Sequence, residues 1–231
     1  MQSIDINILT IRFRNGLKPF EVQPFRGAII NSLKEKRLLF HNHDGKNLRY
    51  GYPLIQYKSL GGQASVVCVG EGTEEVWHFF EDSNFNLHIG HRTEHMDVEN
   101  MRHDKFSISI AEDNMYVYHI THWLPLNEEN YKAYIRSDNL CNRITLLERL
   151  LTGNILSMLK GVGLHAESKI TTSIVDISHP NTAIYKKVRL VMFEATFRTN
   201  VLMPDYIGLG RHTSVGYGII NQVNNNKEKN I

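Results

Sequence analysis

The chain has few cysteines, few prolines and no long apolar segment. Its 231 residues include six prolines, two tryptophans and two cysteines, Cys68 and Cys141. Two cysteines cannot form a disulfide framework or a cysteine-rich zinc site, so we interpret both as reduced thiols. No run of 18 apolar residues and no basic-then-apolar leader is present, which argues against a membrane span or a secretory signal and favours a cytoplasmic protein.

Neither sign of charge dominates the sequence. The 26 basic and 24 acidic residues give a net charge of +2, so a nucleic-acid surface would require local clustering of cations. Hydrophobic residues at 42% and charged residues at 22% are typical of a soluble globular protein. The length allows one large domain or two small ones. Histidine is plentiful instead, with 12 copies of the side chain that titrates nearest to neutral pH.

Hydrophobic periodicity predicts a β-α-β-β-α-β order for the first half of the chain. Phe25, Ile29 and Leu33 recur every four residues, as on one face of a helix, and Gly61-Gly62 predicts a hairpin turn. The predicted elements are a strand over 3–13, a helix from about 25 to 36, strands over 48–60 and 63–70, a helix over 73–80 and a strand over 84–90. This order is that of a ferredoxin-like unit.

The second half predicts a similar order. The elements are a strand over 115–122, a turn-rich segment over 125–136, a helix over 141–159, strands over 170–177 and 185–198, a reduced second helix over 200–205, and a last strand. We therefore expect an α+β fold of two tandem ferredoxin-like (βαββαβ, RRM-like) units, over 1–105 and 106–223. The polar residues 224–231 predict a disordered tail.

Two Gly-x-Gly pairs lie just before the last predicted strand. Gly208 and Gly210 precede a basic centre of Arg211 and His212, and Gly216 and Gly218 follow it. Glycine permits positive φ and the close approach of another backbone. Exposed N–H groups in such a loop can surround a phosphate, and an arginine adds a fixed positive charge. The pattern therefore indicates a phosphate-binding loop, although a set of tight turns would have the same composition.

A second polar stretch, residues 41–50, reads HNHDGKNLRY. RNA cleavage without a metal needs a general base, a general acid and a cation for the phosphorane charge. The pair His41 and His43 can supply base and acid, because an imidazole titrates at about pH 6.5. Lys46 or Arg49 can hold the phosphate, and Tyr50 can position it or stack on a base. A metal site at the histidine pair is the alternative, with Asp44 as its nearest third ligand.

Both stretches resemble proteins of the CRISPR-associated RAMP superfamily. The glycine pattern before the last strand is similar to that of the repeat-processing endoribonucleases of this superfamily, and the resemblance covers most of the chain. In one subgroup a His-x-His pair follows the first helix and a tyrosine comes several residues later, as His41, His43 and Tyr50 do here. Several relatives also carry a tyrosine on the first helix, and Ile30 stands at that position in this chain.

The resemblance implies a specific activity and a specific set of residues. The activity is cleavage of precursor CRISPR RNA within its repeats, without a metal or other cofactor, to leave a 2′,3′-cyclic phosphate and a 5′-hydroxyl. The implied catalytic residues are His41, His43, Lys46 and Tyr50, with Lys34 and Lys36 as alternative lysines, and the implied RNA contacts are Gly208, Gly210, Arg211, His212, Gly216 and Gly218. The implied partners are the repeat RNA, other subunits of a CRISPR effector complex and a second copy of the chain, with no membrane.

Two other functions compete with this interpretation. A subunit that binds guide RNA without cutting it would share the fold and the glycine pattern. A zinc hydrolase would use the H-x-x-E-H sequence that runs from His91 through Glu94 to His95. That motif requires a helix to bring both histidines to one zinc ion, whereas its flanking residues alternate as in a strand or loop. The sequence thus favours a polar connection between the units at this position.

Overall fold

The fold consists of two compact units that are interleaved along the chain. A computed structural model describes residues 2–35, 37–41, 43–44, 47–48, 51–185 and 187–223; the side chains of 41, 43, 44, 47 and 48 lie outside this description. The N-terminal unit contains Asp5–Phe106 and Ser214–Gly216, and the C-terminal unit contains residues 2–4, 107–213 and 217–223.

The N-terminal unit is built on an antiparallel sheet of order β8-β1-β5-β4. Its elements are β1 (Gln2–Gly16), α1 (Val22–Ser32), α2 (Leu38–His41), β2 (His43–Asp44), β3 (Asn47–Leu48), β4 (Ile55–Leu60), β5 (Gln63–Val69), α3 (Gly72–Glu75), α4 (Trp77–Asp82), β6 (Asn86–Ile89), β7 (Arg92–His95) and β8 (Val98–Ile110). The first residues of β1 and the last of β8 belong to the C-terminal unit. With β8 as its fourth strand, the sheet has the ferredoxin-like order 4-1-3-2.

Helix α1 covers the apolar face of this sheet. The Phe25 ring meets Phe13 at 5.9 Å and Tyr57 at 6.1 Å between ring centroids, both edge to face. All three rings are fully buried, and edge-to-face contacts of this kind add to the stabilisation from burial alone. The β4–β5 hairpin turns through Gly61 and Gly62, whose φ values of 61° and 82° are those that a two-residue primed turn requires. The predicted glycine turn is therefore present.

The strand predicted over 84–90 is present, but it does not pair within the main sheet as the prediction required. Residues 86–89 form β6, which pairs with β7 in a separate two-stranded hairpin, Asn86 opposite His95 and Ile89 opposite Arg92. Strand β8 lies beside β1 in the main sheet instead. The predicted second helix is also divided, since α3 and α4 meet at Val76. Strand alternation identifies an extended segment but does not specify which long-range partner it pairs with.

The C-terminal unit contains a second antiparallel sheet, of order β10-β12-β9-β14. Its elements are β9 (Tyr116–Trp123), α5 (Glu128–Arg136), α6 (Leu140–Gly161), β10 (Thr172–Ile177), β11 (Asn181–Tyr185), β12 (Val188–Thr199), β13 (Val201–Leu202) and β14 (Ile219–Gln222). Strand β11 pairs with β12, and β13 pairs with the last residues of β8. The order of β9, β10, β12 and β14 again matches the ferredoxin-like plan, so the prediction of two such units is confirmed.

Helix α6 packs on this second sheet. Asn139 begins it as an N-cap, because its side-chain oxygen accepts a hydrogen bond from the Asn142 amide at 2.9 Å. Leu147, Leu151 and Ile155 are buried at the four-residue spacing of one helix face. No helix within the described ranges is both long and apolar enough to cross a bilayer.

Two segments of the C-terminal unit differ from the sequence prediction. Residues 128–136 form the regular helix α5 rather than turns, capped by Asn127, whose side chain accepts from the Asn130 amide at 2.7 Å. The reduced helix predicted over 200–205 is absent, since residues 201–202 form β13. The Asn200 side chain donates to the carbonyls of Ala111 and Lys169. These bonds satisfy distant backbone acceptors, which no local pattern could reveal.

Candidate functional site

The glycine-rich loop is held against the end of β9. The Leu209 amide donates to the Gly218 carbonyl at 2.8 Å, and the Gly218 amide donates to the His122 carbonyl at 3.1 Å. The Arg211 amide donates to the Leu124 carbonyl at 3.2 Å. These three N–H groups are therefore occupied by backbone acceptors and are not available to a phosphate.

Gly210 and Gly218 show why this loop needs glycine. Gly218 has φ of 67°, and a Cβ atom there would lie 1.9 Å from the Leu209 carbonyl oxygen. Gly210 has φ of 99°, and a Cβ atom there would lie 3.1 Å from the Trp123 indole. An L side chain is strained at such φ values, and the available space excludes it at Gly218. Both positions shape the turn that carries Arg211 and His212.

Arg211 and His212 present a cation and an aromatic ring at the centre of the loop. Arg211 is exposed, and its Nη1 donates to the Leu126 carbonyl at 2.7 Å. The His212 ring stacks on Tyr185 at 3.9 Å between centroids, and Tyr217 contacts both rings edge to face at 6.3 and 6.2 Å. Neither Tyr185 nor Tyr217 was expected at this site from the sequence. Half-buried rings beside a fixed cation can receive a nucleotide base and its phosphate.

The histidine-rich stretch lies between α1 and β4 of the N-terminal unit. His41 is the last residue of α2, and His43 begins β2, where it pairs with Leu48 of β3. The predicted loop thus contains a short hairpin. The side chains of His41 and His43 lie outside the described part of the chain, as do Lys46 and Tyr50 altogether. Their proposed roles remain predictions from the sequence.

Groups on α1 and β4 hold both flanks of this stretch. Arg26 donates from Nη2 to the carbonyl of Phe40 at 3.3 Å, and the Phe40 side chain is buried. On the other flank, the buried Gln56 amide donates to the Pro53 carbonyl at 3.0 Å. This contact of Arg26 was not expected from the sequence, because a single arginine on a helix looks like a solvated side chain. These contacts fix where the stretch leaves and rejoins the fold.

Strand β4 also buries two titratable side chains. Burial raises the pKa of the Tyr57 hydroxyl, an effect that the positive charge of Arg26 opposes. Burial lowers the pKa of Lys58 to about 7, and its Nζ has no hydrogen-bond partner among the described residues. In the sheet register, Lys58 lies opposite Ser65, which lies opposite Arg12. Burial therefore favours the neutral form of the Lys58 amine.

The H-x-x-E-H sequence has a structural role instead of a helical zinc site. Residues 92–95 form β7, so the helix that the zinc motif requires is absent. Glu94 accepts hydrogen bonds from Arg92 and Asn15, and Arg92 also contacts Glu21. The His95 ring contacts the Asn86 side chain within the hairpin. These contacts do not support the zinc hydrolase alternative.

Comparison with known proteins assigns the chain to a family. Models of the Cas6b N-terminal domain and the Cas6b C-terminal domain match residues 4–107 and 110–223. The uncharacterized protein MJ0978 of Methanocaldococcus jannaschii is 33% identical over 114 residues, which are 49% of this chain and 76% of that protein.

Two solved structures extend the comparison over nearly the whole chain. A Cas6b crystal structure has a TM-score of 0.84 at 27% identity, and a CRISPR RNA processing endoribonuclease Cas6b has 0.73 at 25% identity. Each comparison covers 95% of this chain and all of the other. The chain therefore belongs to the Cas6b family.

Proposed function

We propose that this chain cuts precursor CRISPR RNA within each repeat by attack of a ribose 2′-oxygen on the adjacent phosphate. The main support is the match of both Cas6b domains to one chain that also carries the His-x-His pair. One histidine of the pair takes the proton from the 2′-hydroxyl. The other protonates the departing 5′-oxygen as the P–O bond breaks. The products are a 2′,3′-cyclic phosphate on the upstream fragment and a 5′-hydroxyl on the downstream fragment.

The other side chains of the two stretches bind and orient the RNA in this proposal. Lys46 balances the charge of the phosphorane, and Tyr50 positions the phosphate or stacks on a base. Arg211 binds a phosphate away from the bond that breaks, and His212 with Tyr185 receives a base. The reaction needs no activated water, because the nucleophile belongs to the substrate. It needs no metal ion, because the two histidines supply the base and the acid and Lys46 supplies the positive charge.

Cleavage of the host repeat RNA in EDTA tests this function. We expect the protein to cut the repeat at one position at the same rate in EDTA as in magnesium, since no step uses a metal. Mass spectrometry of the upstream fragment should give the mass of a cyclic phosphate or its opened form. Tight binding with no cleavage in either buffer would instead identify a guide-RNA-binding subunit. Cleavage that EDTA abolishes and a divalent metal restores would contradict the acid–base mechanism.

A second test concerns the basic centre of the glycine-rich loop. Arg211→Ala combined with His212→Ala should weaken repeat binding and flatten the dependence of log affinity on log salt by about 0.7 per lost phosphate contact on single-stranded RNA. The measurement is a fluorescence anisotropy titration at several salt concentrations. Arg149→Ala is the matched control, because Arg149 is an exposed arginine of α6 in the same unit. An unchanged salt slope in the double variant would mean that RNA phosphates do not contact the loop.

A further inference from the structure

A groove opens in the C-terminal unit between the start of α5 and the β12 strand. Its volume is about 620 Å³, and its lining includes Asn127, Glu128, Tyr131, Arg189, Leu190 and Arg211. Helix α5 is an addition to the ferredoxin-like plan, since it lies between strand β9 and helix α6, which packs on the sheet. Cavities of about 300–1,000 Å³ are the usual size for small-molecule and cofactor sites. The groove is therefore large enough for one nucleotide.

The charges of the groove favour an anionic ligand. Arg189 and Arg211 both line it, and neither forms an ion pair with any described carboxylate. The acidic residue in the lining, Glu128, is paired with Lys132 at 2.8 Å. The two arginines thus give the groove a net positive charge. Arginine is also the side chain that best matches the geometry of a phosphate.

The remaining lining groups suit a nucleobase. Tyr131 is 41% exposed and presents an aromatic ring, with Leu190 as a further apolar contact. The Asn127 side-chain oxygen accepts from the Asn130 amide, which leaves its NH₂ group free to donate to a base. Aromatic rings stack on any of the four bases, and cations nearby hold the backbone. The combination is that of a site for single-stranded nucleic acid.

We propose that this groove binds one unpaired nucleotide of the repeat RNA, with the base against Tyr131 and its phosphates bound by Arg189 and Arg211. The identity of the ligand as repeat RNA rests on the proposed function. Arg211 belongs to both the groove and the glycine-rich loop, so the groove continues the loop surface that carries His212. Helix α5 thereby adds a nucleotide subsite beyond the two stretches found in the sequence.

The test uses a repeat RNA with 2′-fluoro groups throughout, which has no 2′-oxygen to act as nucleophile. Tyr131→Ala should weaken binding of this RNA by about 5- to 150-fold, as expected for loss of one base stack, with an unchanged salt slope. Tyr131→Phe should bind like the unaltered protein. Arg189→Ala should weaken binding and lower the salt slope by about 0.7. Arg136→Ala, at the end of the same helix and outside the lining, is the control and should change neither quantity beyond a nonspecific charge effect.

The outcomes separate this proposal from the proposed function. Circular dichroism melting curves establish that each variant is folded. If Tyr131→Ala and Arg189→Ala bind as tightly as the unaltered protein while that protein cuts repeats, the groove proposal is wrong and the endonuclease proposal stands. If both variants bind more weakly with the expected salt slopes while the unaltered protein binds but never cuts, the groove proposal stands and the endonuclease proposal fails. Equal weakening by Tyr131→Phe and Tyr131→Ala would exclude stacking and overturn the groove proposal.

Discussion

Replacing His43 or His41 by alanine should lower the rate of repeat cleavage by about 10²- to 10⁴-fold. This is the usual contribution of one acid–base group, because the proton transfer that the imidazole provides must then come from water. Binding should change little, since phosphate contacts by cations supply most of the affinity for RNA. Single-turnover cleavage at saturating protein measures the chemical step separately from binding.

The pH dependence of the two variants can assign the two roles. The unaltered protein should give a bell-shaped rate profile, with a limb for the base and a limb for the acid. Loss of the base should remove the rise in rate on the acidic side of the profile. Loss of the acid should remove the fall in rate on the alkaline side. His179→Ala is a suitable control, because His179 is exposed and lies in the other unit. Wild-type rates in both single variants would exclude this stretch as the active site.

A single 2′-deoxyribose at the cleavage position should abolish cleavage at that bond. If the 2′-oxygen is the nucleophile, this change removes the attacking atom and leaves every phosphate in place. Affinity should stay close to that of the all-RNA repeat, apart from any lost 2′-hydroxyl hydrogen bond of roughly 0.5–1.5 kcal/mol. The experiment compares binding and cleavage of the two RNAs in EDTA and in magnesium.

The matched substrate for this experiment carries the 2′-deoxyribose one nucleotide downstream of the cleavage position. That RNA retains the nucleophile and should be cut normally. A metal-activated water would still cut the first substrate and would leave an ordinary phosphate end. Persistent cutting of the first substrate would therefore overturn the acid–base roles of His41 and His43, whatever the effect of their replacement.

Local patterns in the sequence were sufficient to predict most elements of the fold. The Gly61-Gly62 turn between β4 and β5 depends on residues within a few positions of one another. Such signals act through backbone dihedral angles and short-range hydrogen bonds, so they are visible in the sequence. Helix α5 was not predicted because it has only nine residues and none of them is buried.

Pairing over long distances could not be predicted in the same way. Strand β6 was expected in the main sheet, yet β8 pairs with β1 there and β6 pairs with β7. Strand β8 was not predicted, because residues 99–105 are mostly polar and exposed. The partner of a strand also depends on which side chains pack against the sheet from elsewhere in the chain. The contacts of Asn200 were not predictable for the same reason. Its side chain donates hydrogen bonds to the carbonyls of Ala111 and Lys169, which are distant in the sequence.

The features of the candidate site also fall into two groups, those that the sequence indicates and those that only the structure shows. The sequence by itself determined the two stretches, the His-x-His pair and the double Gly-x-Gly, because the chemistry of RNA cleavage and the backbone freedom of glycine are properties of residue types. Only the tertiary structure decided that the loop amides of Leu209 and Gly218 face backbone carbonyls and that Tyr185 stacks on His212. Only the structure brought Tyr131, Arg189 and Arg211 to one groove. These contacts join residues far apart in the chain, and their distances are fixed by packing of the whole unit.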